Sequence, residues 1–228
     1  WRVELHGPHR LELSLALPQD ERWPFGGRAF QRIEVEEDHL RLELSVQAGS
    51  VAMPATIGWH PWFRKPERVR FSPTAVYPRD SHGIATLPIK TPSAGPWDDC
   101  FVNTETVLLE RASQALALSS DCTHWVVYDE DPNATCIEPQ SGPTDAFNIE
   151  PFVLAPGETL TRWFQMAWDD RQGRRQVLTG VPLLPDLLPC RPSAWERLEP
   201  EPHARNPPML AGFPASRFRE IGGVAEAA

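Results

Sequence analysis

Leu40-Arg41-Leu42-Glu43-Leu44-Ser45-Val46 alternates an apolar with a polar side chain at every step. A period of two sends the four apolar residues to one face of an extended chain and Arg41, Glu43 and Ser45 to the other, which is the pattern of a half-buried β-strand. The same alternation recurs at Leu11, Leu13, Leu15 and Leu17. Further strand-like runs lie at Thr106 to Glu110, Ala115 to Ser119, His124 to Tyr128, Thr135 to Ile137 and Leu160 to Trp168, with Pro, Gly, Asp and Asn between them. Amphipathic helical periodicity is absent up to about Asp170, and no internal repeat is visible. Many short strands with turn signals between them predict an all-β fold, an antiparallel sandwich or barrel. His6-Gly7-Pro8-His9-Arg10, just ahead of the Leu11 to Leu17 strand, is expected to be a hairpin turn.

The chain has 228 residues, 41% of them hydrophobic and 23% charged, which predicts one large domain or one domain with an appendage. The division falls near residue 170. Residues 1–170 carry the alternation, whereas 171–228 hold nine prolines and a cluster of Arg171, Arg174 and Arg175. Proline-rich sequence without alternation cannot build a sheet interior, so this extension is expected to be disordered or to form an extended arm, and to add little stability. A net charge of -9 argues against nucleic-acid and anionic-membrane partners, which call for concentrated Lys and Arg. No run approaches the roughly 20 apolar residues of a membrane span, and a cytoplasmic location is expected. The four cysteines lack the close pairing of a zinc or redox motif and are expected to be free thiols.

Two segments carry the chemistry: Gly58-Trp59-His60-Pro61-Trp62-Phe63 and Ile137-Glu138-Pro139-Gln140-Ser141-Gly142-Pro143-Thr144-Asp145-Ala146-Phe147-Asn148. Each sets a titratable side chain directly before proline, which biases His60 and Glu138 towards extended backbone and holds them stiffly. Trp59, Trp62, Phe63 and Phe147 supply aromatic surface nearby. A single His among aromatics is more often a packed core residue than a catalyst, and Glu-Pro alone carries little information. In this order, however, and with Trp97-Asp98-Asp99-Cys100-Phe101 between them, the segments resemble the aldose 1-epimerase (galactose mutarotase) family. The resemblance takes in Trp23-Pro24-Phe25 and runs through Pro156-Gly157-Glu158 to about Trp168.

That resemblance implies the large twisted antiparallel β-sandwich of the mutarotases, and an isomerase that interconverts the α and β anomers of a hexose. Ring opening needs one base for the anomeric hydroxyl and one acid for the ring oxygen. Glu138 suits the first role if apolar neighbours such as Phe147 strengthen it as a base, and His60 suits the second. The family implies the same roles at these positions. Asp98 matches the family's hydroxyl-binding Asp, standing three before Phe101; on its own residues, a solvated turn after Pro96 remains open. Gln140 is expected to orient Glu138 or to touch a hydroxyl. Trp59 and Trp62 are expected to pack in the core, turned away from the catalytic side chain. No metal and no organic cofactor is expected, because the intermediate is an open-chain sugar, and the expected partner is a small aldohexose such as glucose or galactose.

The family also carries an earlier His-Gly-x-x-Arg-like segment, upstream of the position of Trp1, so the chain is expected to lack strands of the sandwich and to be a weak catalyst prone to association. Two alternatives follow. One is a mutarotase-like domain that binds sugar without turning it over, and the other is an epimerase of hexose 6-phosphate, for which Arg64, Lys65 and Arg68 would be the nearest cations.

Overall fold

The computed structural model describes residues 1–170, so the expectations for 171–228 lie outside the described residues. Fifteen strands and one short helix succeed one another along the described residues. They are β1 (Arg2–His6), β2 (Arg10–Ala16), β3 (Arg28–Val35), β4 (His39–Gln47), β5 (Met53–Pro54), β6 (Trp62–Arg64), β7 (Arg68–Arg70), β8 (Ala75–Tyr77), β9 (Asp98–Val102) and β10 (Val107–Arg111). After these come β11 (Gln114–Ser120), β12 (His124–Tyr128), β13 (Ala134–Gln140), α1 (Ala146–Ile149), β14 (Val153–Leu154) and β15 (Thr159–Asp170). An eight-stranded sheet runs β1-β2-β3-β4-β15-β11-β10-β7, a five-stranded sheet runs β6-β13-β12-β9-β8, and β14 pairs with β5. All pairings are antiparallel.

The two large sheets bury one face each against the other. Val107, Leu109, Leu118 and Phe164 of the eight-stranded sheet share a buried cluster with Phe101, Trp125, Val127 and Ile137 of the five-stranded one. Phe164 sits edge-on to Trp125 at 6.3 Å between ring centroids. This is the expected sandwich. A second cluster, of Val46, Met53, Ala55, Leu154 and Leu160, closes the end where β5 pairs with β14. No helix among the described residues is long and apolar enough to cross a membrane.

The hairpin expected at residues 6–10 is present: Gly7 N–H donates to the Arg10 carbonyl at 2.8 Å and β1 pairs with β2. The strand expected at Thr135 to Ile137 instead extends to Gln140, through Pro139. Proline lacks a ladder donor and belongs at strand edges. Here the Pro139 carbonyl accepts from Trp59 N–H at 3.1 Å. Carbonyl and nitrogen of one strand residue point to the same side, so the missing donor faces the Trp59 segment. There β6 has already ended, its last partner being Cys136.

Because Phe101, Trp125 and Ile137 point into the sandwich, their strand neighbours Cys100, Val126, Cys136 and Glu138 point out on the other face. Tyr77, Ala85 and Cys100, with Val126 and Ile149 packed on them, roof one half of that outer face. The other half, at β13 and β6, carries Glu138 and Gln140, singled out by the sequence.

Candidate functional site

Cys136, Glu138 and Gln140 stand two residues apart on β13 and therefore project from one face of the sheet. Glu138 is buried at 7% exposure, which is unusual for a carboxylate without partners, and its two oxygens are both held. Oε1 faces His60 Nε2 at 3.2 Å and accepts from the Cys136 thiol at 3.1 Å. Oε2 accepts from Gln140 Nε2 at 3.2 Å. Cys136 Sγ also stands 3.2 Å from His60 Nδ1 and 3.0 Å from the Pro61 carbonyl. Burial, followed by the adjacent Glu138 carboxylate, pushes the Cys136 thiol well above its ordinary range, so it stays protonated and donates.

His60 belongs to no strand; it is carried by the segment that crosses the end of β13. Gly58 forms an isolated bridge with Gln140, and Trp59 N–H bonds the Pro139 carbonyl. These contacts set the imidazole over Glu138 while leaving 63% of its side chain exposed. The buried carboxylate and the exposed imidazole thus meet at the surface of the sheet.

Trp59 packs against the core beside Phe164, with ring centroids 5.8 Å apart. Trp62 does not pack in the core. It is 54% exposed and stacks on His60 at 5.9 Å and 24°. Two residues after His60, it shares that residue's side rather than opposing it, and it also meets Tyr128 edge-on at 5.7 Å. Phe147 likewise differs from expectation, lining an apolar cavity with Leu15, Trp23, Met53 and Ile57. The neighbours of Glu138 are polar groups instead.

Asp98 opens β9 rather than forming a turn after Pro96. It stands in register with Tyr128, which is in register with Cys136, so two strand spacings of about 4.8 Å separate Asp98 from the Cys136 position. Arg79 Nη1 pairs with Asp98 Oδ2 at 2.5 Å and also donates to the Asp98 carbonyl. Of the cations after Phe63, Lys65 is held by Asp129 at 2.5 Å and is not free for a phosphate.

Several groups near the site are absent from the sequence reading. Cys136 was open to the same i, i+2 argument as Gln140. Arg79 has no signal, because its approach to Asp98 depends on the turn after β8. Tyr77, His124 and Glu150 form a cluster next to the site: Tyr77 O–H donates to Glu150 Oε1 at 2.6 Å, and His124 Nε2 lies 3.1 Å from the same hydroxyl. Burial raises the Tyr77 phenol, and burial outweighs Glu150 to lower the His124 imidazole.

Lowering of the His124 value has a definite sign. In the pH interval between its folded value and the ordinary value of about 6.5, the unfolded chain binds more protons, so stability is complete above that interval and falls as pH drops through it. Urea midpoints at about pH 7.5 and about pH 5.5 are expected to show a loss that His124→Gln reduces, by at most about 1.4 kcal/mol per pH unit. An unchanged difference in the variant would clear His124 of the effect.

The family model described as aldose 1-epimerase matches residues 1–167. The chain belongs to the aldose 1-epimerase family. Solved structures agree with this family's fold. A galactose mutarotase-like protein of Clostridium acetobutylicum superposes with a TM-score of 0.65 at 16% identity, over 75% of this chain and 65% of that one. A galactose 1-epimerase of Lactobacillus acidophilus NCFM gives 0.63 at 16% identity, over 74% and 65%. A candidate aldose 1-epimerase of Escherichia coli K12 gives 0.65 at 19% identity, over 74% and 68%. The chain thus spans about two thirds of the length of these aldose 1-epimerase-like structures. No curated protein matches it.

Proposed function

We propose that this protein interconverts the α and β anomers of an aldohexose by acid and base catalysis, with Glu138 as base and His60 as acid. The observation that carries the reading is the 3.2 Å approach of Glu138 Oε1 to His60 Nε2. The two oxygens that exchange protons in mutarotation are bonded to the same carbon. An acid and a base that serve them must therefore stand side by side, as these do.

Glu138 takes the proton of the anomeric hydroxyl while His60 protonates the ring oxygen. The bond from C1 to the ring oxygen breaks, and C1 becomes an aldehyde carbon. After rotation about the C1 to C2 bond the hydroxyl adds to the other face; His60 recovers its proton and Glu138 returns one to the new anomeric oxygen. Every proton is accounted for without a metal or an organic cofactor. Gln140 fixes the Glu138 carboxylate, and Asp98 keeps Oδ1 for a sugar hydroxyl while Arg79 holds Oδ2.

The exposed Trp62 ring offers a flat apolar surface beside His60 for a sugar face. Trp62→Ala is expected to raise KM several-fold and to change kcat less. Equal losses in both would place Trp62 in holding His60 rather than the sugar. Free thiols at Cys100, Cys122 and Cys136 suit a reducing compartment, and we place the protein in the cytoplasm.

Polarimetry of freshly dissolved pure glucose or galactose anomer tests the reaction. Catalysed decay of rotation above the spontaneous rate supports it, whereas binding without acceleration indicates a sugar-binding domain. Preference for the 6-phosphate would redirect the assignment; the pairing of Lys65 with Asp129 argues against it.

A further inference from the structure

His60, Cys136 and Glu138 present one nitrogen, one sulfur and one oxygen within 4.8 Å of one another. We propose that these three side chains form a binding site for a thiophilic divalent cation of the Zn2+ type, and that its occupancy silences the acid–base pair. The binding half stands on the donor geometry alone; the silencing half rests on the proposed mutarotase reaction.

Zinc sites with an open vertex use three protein ligands, with bonds of about 2.3 Å to sulfur, about 2.0–2.1 Å to imidazole and about 2.0–2.2 Å to carboxylate. Tetrahedral neighbours at those bond lengths stand about 3.4–3.6 Å apart. The contacts here are 3.2 Å from His60 Nε2 to Glu138 Oε1 and 3.1 Å from Cys136 Sγ to the same oxygen, while Cys136 Sγ meets the other imidazole nitrogen, Nδ1, at 3.2 Å; with one nitrogen taken from His60, the three donors lie within 4.8 Å of one another. Spreading the Cys136 and Glu138 donors by a few tenths of an ångström, and turning the imidazole so that one of its nitrogens faces both, therefore admits the ion. Cys136 and Glu138 sit on β13, paired with Tyr128 and Val126 of β12, while the exposed His60 can make the adjustment.

The remaining contacts suit the same purpose. Gln140 Nε2 ties Glu138 Oε2 and leaves Oε1 as the ligand, a support of the kind that orients metal ligands. Solvent reaches His60, so a water can occupy the fourth vertex. Binding replaces the Cys136 S–H bond by a sulfur–metal bond and releases the proton to solvent, with no change of oxidation state. Sulfur and imidazole donors favour Zn2+, Cd2+ and Co2+ over Mg2+ and Ca2+. With the ion bound, Glu138 Oε1 cannot accept the anomeric proton and His60 cannot deliver one. Sugar and metal then exclude each other.

Calorimetric titration of the chelator-treated full chain with Zn2+, with Mg2+ in a parallel arm, reads binding directly. One Zn2+ per chain is expected, with none for Mg2+. Cys136→Ser and His60→Ala are each expected to weaken Zn2+ by more than about 100-fold, beyond the 10- to 100-fold typical of outer ligand partners. His60 is exposed, so its variant tests the site even if a serine at buried Cys136 disturbs folding. With Co2+, a thiolate charge-transfer absorbance should appear in the parent and vanish in Cys136→Ser. Absence of Zn2+ binding, or binding that survives both substitutions, as it would at His6 and His9, overturns the site. Zn2+ binding with undiminished mutarotation overturns the silencing. Binding in a chain that never mutarotates a sugar leaves the metal site standing and removes the proposed reaction instead.

Discussion

Glu138→Gln is expected to slow catalysed mutarotation by about 10²- to 10⁴-fold, the range typical of a positioned proton transfer. The change keeps the shape of the side chain and an acceptor oxygen for the Cys136 thiol, but it removes the carboxylate proposed to take the anomeric proton. Sugar affinity should stay within a few-fold, because hydroxyl binding is assigned to Asp98 and the ring face to Trp62. Polarimetry at saturating sugar reads the first effect, and calorimetric titration with the same sugar reads the second. A variant that keeps the parent rate removes Glu138 from the mechanism. A variant that loses binding as well makes the buried carboxylate a structural anchor for the His60 segment. Glu138 is 7% exposed and has three side-chain neighbours, of which His60 is the proposed acid. His60→Asn should fall into the same range, since an amide cannot deliver the ring proton.

What the sequence discloses about this site divides along physical lines. The long strands are legible because alternation over five or more residues leaves few other readings: His124 to Tyr128 is expected and found with the same bounds. Strands of two or three residues, such as β5, β6, β7 and β8, carry too few positions for a period to register, and their partners decide them. Pro139 misleads in the opposite direction, since its effect on a strand depends on which neighbour its nitrogen faces. The meeting of His60 with Glu138 spans 78 positions of sequence and is visible beforehand through resemblance, not through local pattern. Trp62 shows how counting decides a face: at two residues from His60 it had to share that side, and expecting it in the core overlooked this. Arg79 and the cluster of Tyr77, His124 and Glu150 are brought in by turns and by α1, whose paths no periodicity encodes.

The second large effect is expected at a residue without a side chain. A Cβ on Gly58 would stand 2.7 Å from the Pro139 carbonyl oxygen, 2.8 Å from Gln140 Cγ and 3.0 Å from Gln140 Cα. The carbonyl is backbone of a central strand and cannot yield, so Gly58→Ala must lift the segment that carries His60 away from β13. Two tethers of that segment are at stake, the Gly58 bridge to Gln140 and the Trp59 N–H bond to the Pro139 carbonyl. Displacement of a catalytic group by about 1 Å can cost on the order of 10²-fold in rate. The expected result is therefore a folded protein with mutarotation reduced by about 10²-fold. Zn2+ binding should weaken in parallel, because the same shift takes the imidazole away from Cys136 and Glu138. Gly7→Ala is the matched control. A Cβ there meets the Arg10 carbonyl at an ordinary 3.6 Å, in a hairpin remote in sequence from both motifs. It should leave rate and metal binding unchanged. If Gly58→Ala turns over sugar at the parent rate, the His60 segment tolerates displacement, and the close approach of His60 to Glu138 is not what sets the rate.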